Sequence, residues 1–275
     1  MQTLKLNNES GPLEDFYSMD YIKIHPSLHS EDSAWKVSKI LPPINLFKNE
    51  INKKLIKILD VGGGAGIIFL NISNYLESQR FLIEKSALDL SRDMLNIQQK
   101  NNPGLKTYLG DISKTNFKDK SFDICLLIDV LEHLKNDHVA IKEIKRISNY
   151  ALFKVPLEKN LIENIINHLL ANRLNISRRK RYGHVNYYTI NSLENILKVI
   201  GKIEYISFTN NSRRKIFEYK NKSIKTRIYY LFQGVLGEIL NLFSPRLKAF
   251  FVFDFCIILV KCDKNPPSLH SNSTL

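Results

Sequence analysis

After Lys57, the run Ile58-Leu59-Asp60-Val61 is apolar apart from one acid and passes directly into Gly62-Gly63-Gly64-Ala65-Gly66. Glycine alone lets a backbone turn sharply after a strand and approach a ligand with no Cβ in between. A nucleotide-like molecule belongs at such a loop. The dinucleotide fingerprint asks for glycines at its first, third and sixth positions. Counted from Gly62 the sixth position is Ile67, so the third glycine of that pattern is missing. What stands instead is Asp60-x-Gly62-x-Gly64-x-Gly66, with an acid ahead of the glycines.

More acids follow in phase with apolar runs. Ser86-Ala87-Leu88-Asp89 closes one such run, with Ser91 placed to cap the next helix. Leu105-Lys106-Thr107-Tyr108-Leu109 stops at Gly110-Asp111, and the segment from Ser121 runs through Phe122-Asp123 to Asp129-Val130-Leu131-Glu132-His133. The glycine loop resembles motif I of the class I S-adenosylmethionine-dependent methyltransferases. The Phe122-Asp123 and Asp129-Val130-Leu131-Glu132-His133 pieces resemble the signature of that family's small-molecule branch. The resemblance covers about residues 50–210 and the last strand. It implies S-adenosylmethionine as cofactor, with Asp60, Gly62, Gly64, Gly66, Asp89, Asp111 and Asp129 around it. Asp89 would accept from both ribose hydroxyls, and Asp111 would lie near the adenine amino group.

A sulfonium-bound methyl is already activated, so its transfer needs no metal. It needs alignment, a dry pocket and a place for the acceptor's proton. Two histidines compete for that proton. His133 follows the Asp129–Glu132 segment, and His184 lies in Tyr182-Gly183-His184-Val185-Asn186-Tyr187-Tyr188-Thr189. That second segment resembles one that many family members place at the pocket mouth. Histidine can accept a proton near neutral pH. Tyr187 and Tyr188 are candidates for a pocket wall or for packing. No metal site is expected: His25 and His29 are four apart, but Pro26 argues against a helix and no acid or cysteine cluster joins them. The family's members that methylate amide and nucleobase nitrogens carry Asn/Asp-Pro-Pro-Tyr/Phe after the fourth strand. Asp129-Val130-Leu131-Glu132 stands there, which favours a small-molecule, glycan or lipid-linked acceptor, methylated on a hydroxyl or carboxyl.

The elements that must position these groups alternate regularly. Strands are expected at 55–61, 83–88, 105–109, 122–128 and 150–155, with helices near 66–76, 92–100 and 138–147, then a helix at 192–200 and strands at 202–208 and 249–261. Strands separated by helical patterns imply parallel βαβ units, and thus an α/β, doubly wound sheet. The resemblance makes this a mostly parallel, seven-stranded Rossmann-like methyltransferase fold. Ligands bind at the carboxyl ends of such strands. Residues 1–50 read as an N-terminal helical lid, with Tyr17, Tyr21 and Trp35 as its aromatics and a helix that Pro42-Pro43 would end. The methyltransferase domain spans 51–262, with insertions at 157–182 and 211–248, and 263–275 reads as a polar tail.

At 275 residues the chain can bury a full core, and its formal charge is +13. Residues 172–230 hold 14 Lys or Arg against three Glu. Such a field attracts an anionic partner. An RNA methyltransferase using the basic 173–227 region is therefore the alternative reading, and a catalytically silent scaffold is a further one. Nucleic acid ranks below the other acceptors because no RNA-binding module accompanies the domain. In the second insertion, Ile228, Leu231, Phe232, Val235, Leu236, Ile239, Leu242 and Phe243 recur at helical spacing behind a basic run. That pattern suits peripheral contact with an anionic membrane through 213–243, or a face closed by core or dimer. Cys125, Cys256 and Cys262 lie in apolar runs and cannot all pair. This, with an N-terminus lacking a basic-then-apolar layout, gives cytoplasmic as the expected location, possibly membrane-peripheral.

Overall fold

The computed structural model describes residues 32–162, 183–212, 214 and 224–263. Tyr17, Tyr21, His25, His29, the Arg173–Arg181 run and residues 264–275 lie outside these, as do Arg213, Lys215, Lys220 and Lys222.

The described elements, in chain order, are α1 (Ser33–Glu50), β1 (Leu55–Val61), α2 (Ile67–Ser78), β2 (Leu82–Asp89), α3 (Arg92–Asn101), β3 (Lys106–Leu109) and β4 (Phe122–Ile128). A 3-10 turn at Leu131–His133 leads to α4 (Asp137–Ile147), β5 (Ser148–Leu157), α5 (Ile190–Lys198), β6 (Gly201–Phe208), α6 (Ile224–Phe243), α7 (Pro245–Phe251) and β7 (Asp254–Cys262). The strands form one sheet in the order β3-β2-β1-β4-β5-β7-β6, in which only β7 runs antiparallel to its neighbours. The expected doubly wound, mostly parallel sheet is what the chain builds. Its order reverses between β1 and β4, the switch point where such sheets open a crevice.

Side chains along a strand alternate between faces, and β4 uses both faces for core. Ile124 and Leu126 join Ile58, Phe69, Ile72 and Leu152 on one side. Cys125 and Leu127 join Ile141, Ile144, Phe153, Leu193 and Val260 on the other. Every residue of β4 is buried, so its C-terminal end is a rigid platform for whatever follows it.

Two expectations are corrected. Pro42-Pro43 does not end the first helix; α1 runs through both prolines to Glu50. An interior proline costs about 3 kcal/mol. Ile40, Pro43, Ile44 and Phe47, at i, i+3, i+4 and i+7, are all buried on the sheet, and each large apolar side chain so buried contributes about 1.5–3 kcal/mol. Burial outweighs propensity here. The last strand does not begin at Ala249: Ser244 caps α7, Pro245 occupies its first turn, and β7 starts only at Asp254. A continuous apolar run does not separate helix from strand, and the Ser-Pro start decides it.

The α6–α7 insertion is seated from within. Gln233 and Gly237 of α6 are buried, and a Cβ on Gly237 would lie 2.1 Å from the Ser212 hydroxyl, so this face packs at close range. Lys248 of α7 pairs at 2.5 Å with Asp254, both fully buried, and Asp254 also accepts from Thr209 Oγ1 at 2.8 Å.

Candidate functional site

The glycine loop divides by what a Cβ would meet. Gly62, Gly64 and Gly66 all have left-handed backbones, φ +60°, +57° and +71°. A Cβ on Gly66 would fall 2.4 Å from Gln98 Cγ, and one on Gly63 only 1.8 Å from Asp60 Oδ2. A Cβ on Gly64 would meet nothing within 4 Å. Gly63 and Gly66 are thus fixed by the protein beneath and beside them, and Gly64 is where the loop opens outward. Three amides of α3 and its C-cap pin the loop. Gln98 Nε2 donates to Asp60 Oδ2 at 2.5 Å, Asn101 Nδ2 to Ala65 O at 2.9 Å and Asn102 Nδ2 to Gly66 O at 3.1 Å. The sequence reading missed them, although positions 98, 101 and 102 share one helix face at i, i+3 and i+4.

Asp60 is buried under this loop, and burial, reinforced by the charge of Asp89, raises its carboxyl to about 7 against the Gln98 hydrogen bond. Asp89 stands at the end of β2. Burial raises it to about 6, opposed by the backbone N–H groups of Ser91 and Leu90, and Ser91 N donates to its Oδ1 at 2.8 Å. Gly62 N donates to Leu88 O at 2.9 Å, which ties the loop to this strand end. Asp111 is exposed and accepts from Ser113 N at 2.8 Å.

Beyond β4 the site changes character. Asp129 has a left-handed backbone, φ +59°, and its two carboxylate oxygens are taken by Lys154 Nζ and, at 2.8 Å, by Lys36 Nζ. Burial alone would raise its carboxyl, but the two ammonium groups hold it below the usual carboxylate range. Lys154 is fully buried, which lowers it to about 8 in spite of Asp129, and its Nζ lies 3.7 Å from the Phe255 ring centroid. Trp35 meets Phe255 edge-on at 6.4 Å and carries the Arg214 guanidinium over its ring at 4.5 Å. Of the three lid aromatics expected from sequence, Trp35 alone lies among the described residues.

His133 and His184 come together, their ring centroids 4.8 Å apart. The link between them is built from backbone: Val185 N and Asn186 N both donate to Glu132 O, at 2.9 and 3.0 Å. Asn186 Nδ2 reaches Leu134 O at 2.6 Å, and Tyr188, buried in the core, donates to Asp137 Oδ2 at 2.7 Å. Tyr188 is therefore packing, and Tyr187 donates to His184 O at 3.3 Å. His133 Nδ1 is 3.2 Å from Gly183 O, and His184 Nδ1 is 2.8 Å from Glu158 Oε2. A carbonyl and a carboxylate can only accept, so each Nδ1 is the protonated nitrogen. Burial, then the neighbouring His184, lowers His133 to about 4. Glu132 is 1% exposed, its carboxyl is raised well above the usual range by burial and then by Asp129, and its Oε2 has no hydrogen-bond partner among the described residues. Glu158, Lys154 and Lys36 were not anticipated; each is an ordinary charged residue until the fold brings it beside its partner.

Residues 59–149 match a family model described as a methyltransferase domain. An uncharacterized methyltransferase of Schizosaccharomyces pombe is 30% identical over 148 residues, half of this chain and half of that protein. N-methyltransferase 4 of Papaver somniferum is 32% identical over 89 residues, 32% of this chain and 25% of that one. The chain thus spans half or less of the length of these curated relatives. Among solved structures, the PH0226 protein of Pyrococcus horikoshii OT3 covers 89% of this chain and 99% of its own at 17% identity and TM-score 0.52. Geranyl diphosphate C-methyltransferase of Streptomyces coelicolor A3(2), solved with Mg2+, geranyl diphosphate and S-adenosyl-L-homocysteine, covers 81% and 77% at 8% identity and TM-score 0.55. These structures are alike in fold. The residues of this site fit S-adenosylmethionine: Gly64 leaves open the space a Cβ would fill, and Asp89, at the end of β2, has a carboxyl able to accept from two ribose hydroxyls. Residues 59–149 thus match a methyltransferase domain, and the chain shares the fold of these solved structures.

Proposed function

We propose that this chain transfers a methyl group from S-adenosylmethionine to a hydroxyl or carboxyl oxygen of a small-molecule, glycan or lipid-linked acceptor. The observation that carries the reading is the meeting of His133 and His184 just beyond β4, the strand beside the glycine-loop strand β1. Bound S-adenosylmethionine supplies a methyl already activated on sulfur. The chain holds that cofactor with the open side of Gly64, with Asp89 for the ribose hydroxyls and with Asp111 toward the adenine; Asp60 supports the loop from below. The Asp129 carboxylate belongs to Lys36 and Lys154, which gives it a part in shaping the wall between the two halves of the site. The acceptor's proton leaves at the histidine pair. With Nδ1–H of His184 donated to Glu158, its Nε2 carries the lone pair, the orientation a general-base histidine requires.

The lipid-linked member of this acceptor class draws support from α6. Ile228, Leu231, Phe232, Val235, Ile239, Leu242 and Phe243 are exposed along one helix. The sequence from 213 to 227 carries seven Lys or Arg and one Glu. A basic run ahead of an apolar helical face in sequence suits an anionic bilayer. No described helix is long and apolar enough to cross a membrane. The reading is therefore of peripheral contact through 213–243 by a cytoplasmic enzyme. Purified protein incubated with methyl-labelled S-adenosylmethionine and a fractionated extract tests the whole proposal. Label should enter a small-molecule, glycan or lipid fraction; label in RNA alone would replace the acceptor class, and label in none would refute the activity.

A further inference from the structure

We infer that Glu132, His133 and His184 form a binding site for one divalent first-row cation, which holds the acceptor's oxygen. The inference rests on the methyl-transfer reading above and concerns how the same histidine pair meets the acceptor.

One ligand atom from each of the three residues falls within a sphere in which all lie no more than 4.8 Å apart. Zinc binds nitrogen and carboxylate oxygen at about 2.0–2.2 Å in a tetrahedron, so two of its ligands stand about 3.4 Å apart. Closing the cluster on an ion requires the side chains to draw in by up to about 1.4 Å. The donor set, two imidazoles and one carboxylate, is that of metal sites which keep positions open for a substrate. Histidine ligands characteristically donate their second ring N–H to a carboxylate or a backbone carbonyl, which fixes the ring and leaves the other nitrogen's lone pair for the metal. Both outer contacts exist here: His184 Nδ1–H on Glu158 at 2.8 Å and His133 Nδ1–H on Gly183 O at 3.2 Å. Glu132 supplies the independent observation. It is 1% exposed, and its Oε2 is buried with no hydrogen-bond partner among the described residues. An unpartnered buried polar atom costs stability, and a cation would satisfy it.

The loop that carries His184 is splinted to Glu132 by two backbone hydrogen bonds and to Leu134 by Asn186. The three ligands therefore move as one rigid unit, the preorganisation a metal site needs. An acceptor hydroxyl seated on the cation through its oxygen loses its O–H proton to solvent water more readily, and the histidine nitrogens then act as ligands in place of accepting that proton. The oxygen keeps the electron pair that then attacks the methyl carbon. Methyl transfer itself asks no redox change of the ion, so zinc suffices.

The full-length protein, stripped with chelator and dialysed, is titrated with Co2+ while its visible ligand-field absorption is recorded, and with Zn2+ in a calorimeter. The expected result is one saturable site, abolished in His184→Ala, with Glu158→Gln weakening it by about 10–100-fold as loss of a positioning partner does. Glu132→Gln should behave as His184→Ala; if that buried variant does not fold, the wild-type spectrum and the His184 variant still decide. Absence of ligand-field bands, or equal Co2+ affinity in wild type and His184→Ala, overturns the site. Methyl transfer measured on the same stripped sample separates the two claims. Transfer that persists without any cation leaves the histidines as a plain base, and cation binding with no transfer to any fraction would refute the activity instead.

Discussion

The two halves of this site are made of different materials. Around β1 and β2 the work falls to backbone: three left-handed glycines, one open to solvent, and acids at strand ends, pinned by amides of α3. Around β4 and β5 it falls to side chains that converge from distant parts of the chain: Lys36 and Lys154 on Asp129, and Glu158 on His184 beside His133. A cofactor that never changes can be held by geometry fixed once, in a short stretch. An acceptor has to be met by chemical groups, and these come from wherever the fold can deliver them.

The division is tested most severely by replacing both histidines. His133→Ala combined with His184→Ala should lower turnover by about 10²–10⁴ while calorimetric affinity for S-adenosylmethionine stays as in wild type. A parallel loss of affinity would mean that the halves are not separate. Within the cofactor half the glycines sharpen the contrast. Gly63→Ala drives a methyl into the Asp60 carboxylate and should cost about 1–3 kcal/mol of stability, read as a lowered melting temperature. Gly64→Ala meets no protein atom and pays chiefly for its left-handed backbone, about 1–2 kcal/mol. Its affinity for S-adenosylmethionine should fall out of proportion to its melting temperature; if the two fall together, Gly64 does not face the cofactor.

A smaller effect is expected at α6. Flotation with anionic liposomes should show salt-sensitive binding, each cation near the leaflet contributing about 1 kcal/mol, and the pair Phe232→Ser and Phe243→Ser should abolish it. Equal binding to neutral vesicles, or none to either, would remove the membrane from the account. The smallest effect is on pH dependence. The folded chain raises Asp60 from 3.8 to about 7, so it binds this proton more tightly than the unfolded chain does. Its contribution to stability is therefore complete below the unfolded value and is lost as pH rises toward 7. Asp60→Asn, which can still accept from Gln98, should gain melting temperature relative to wild type across that interval. A constant difference would show that Asp60 does not titrate there.

What the sequence made legible follows the same division. The alternation of apolar runs located all seven strands, and the spacing of Asp60, Gly62, Gly64, Gly66 and Asp89 located the loop and the neighbouring strand end, because those features are local. Pro42-Pro43 misled because the local penalty of proline is visible in sequence, whereas the burial of Ile40, Ile44 and Phe47 against the sheet is not. In sequence His133 and His184 compete for one role; in the fold they are neighbours. Their meeting depends on Asn186 and on two backbone donors to Glu132 O, contacts that no spacing announces. Lys154 sits in an apolar strand, where its charge is explained only by Asp129 across the β4–β5 pair.

Whether the backbone half holds the cofactor is read by calorimetry with S-adenosylmethionine on wild type and Asp89→Ala. Wild type should bind saturably and the variant more weakly by about tenfold or more, as loss of one charge-assisted hydrogen bond implies, with both proteins melting alike. Equal affinity in the two proteins, or no binding by wild type, would contradict a cofactor site in this half.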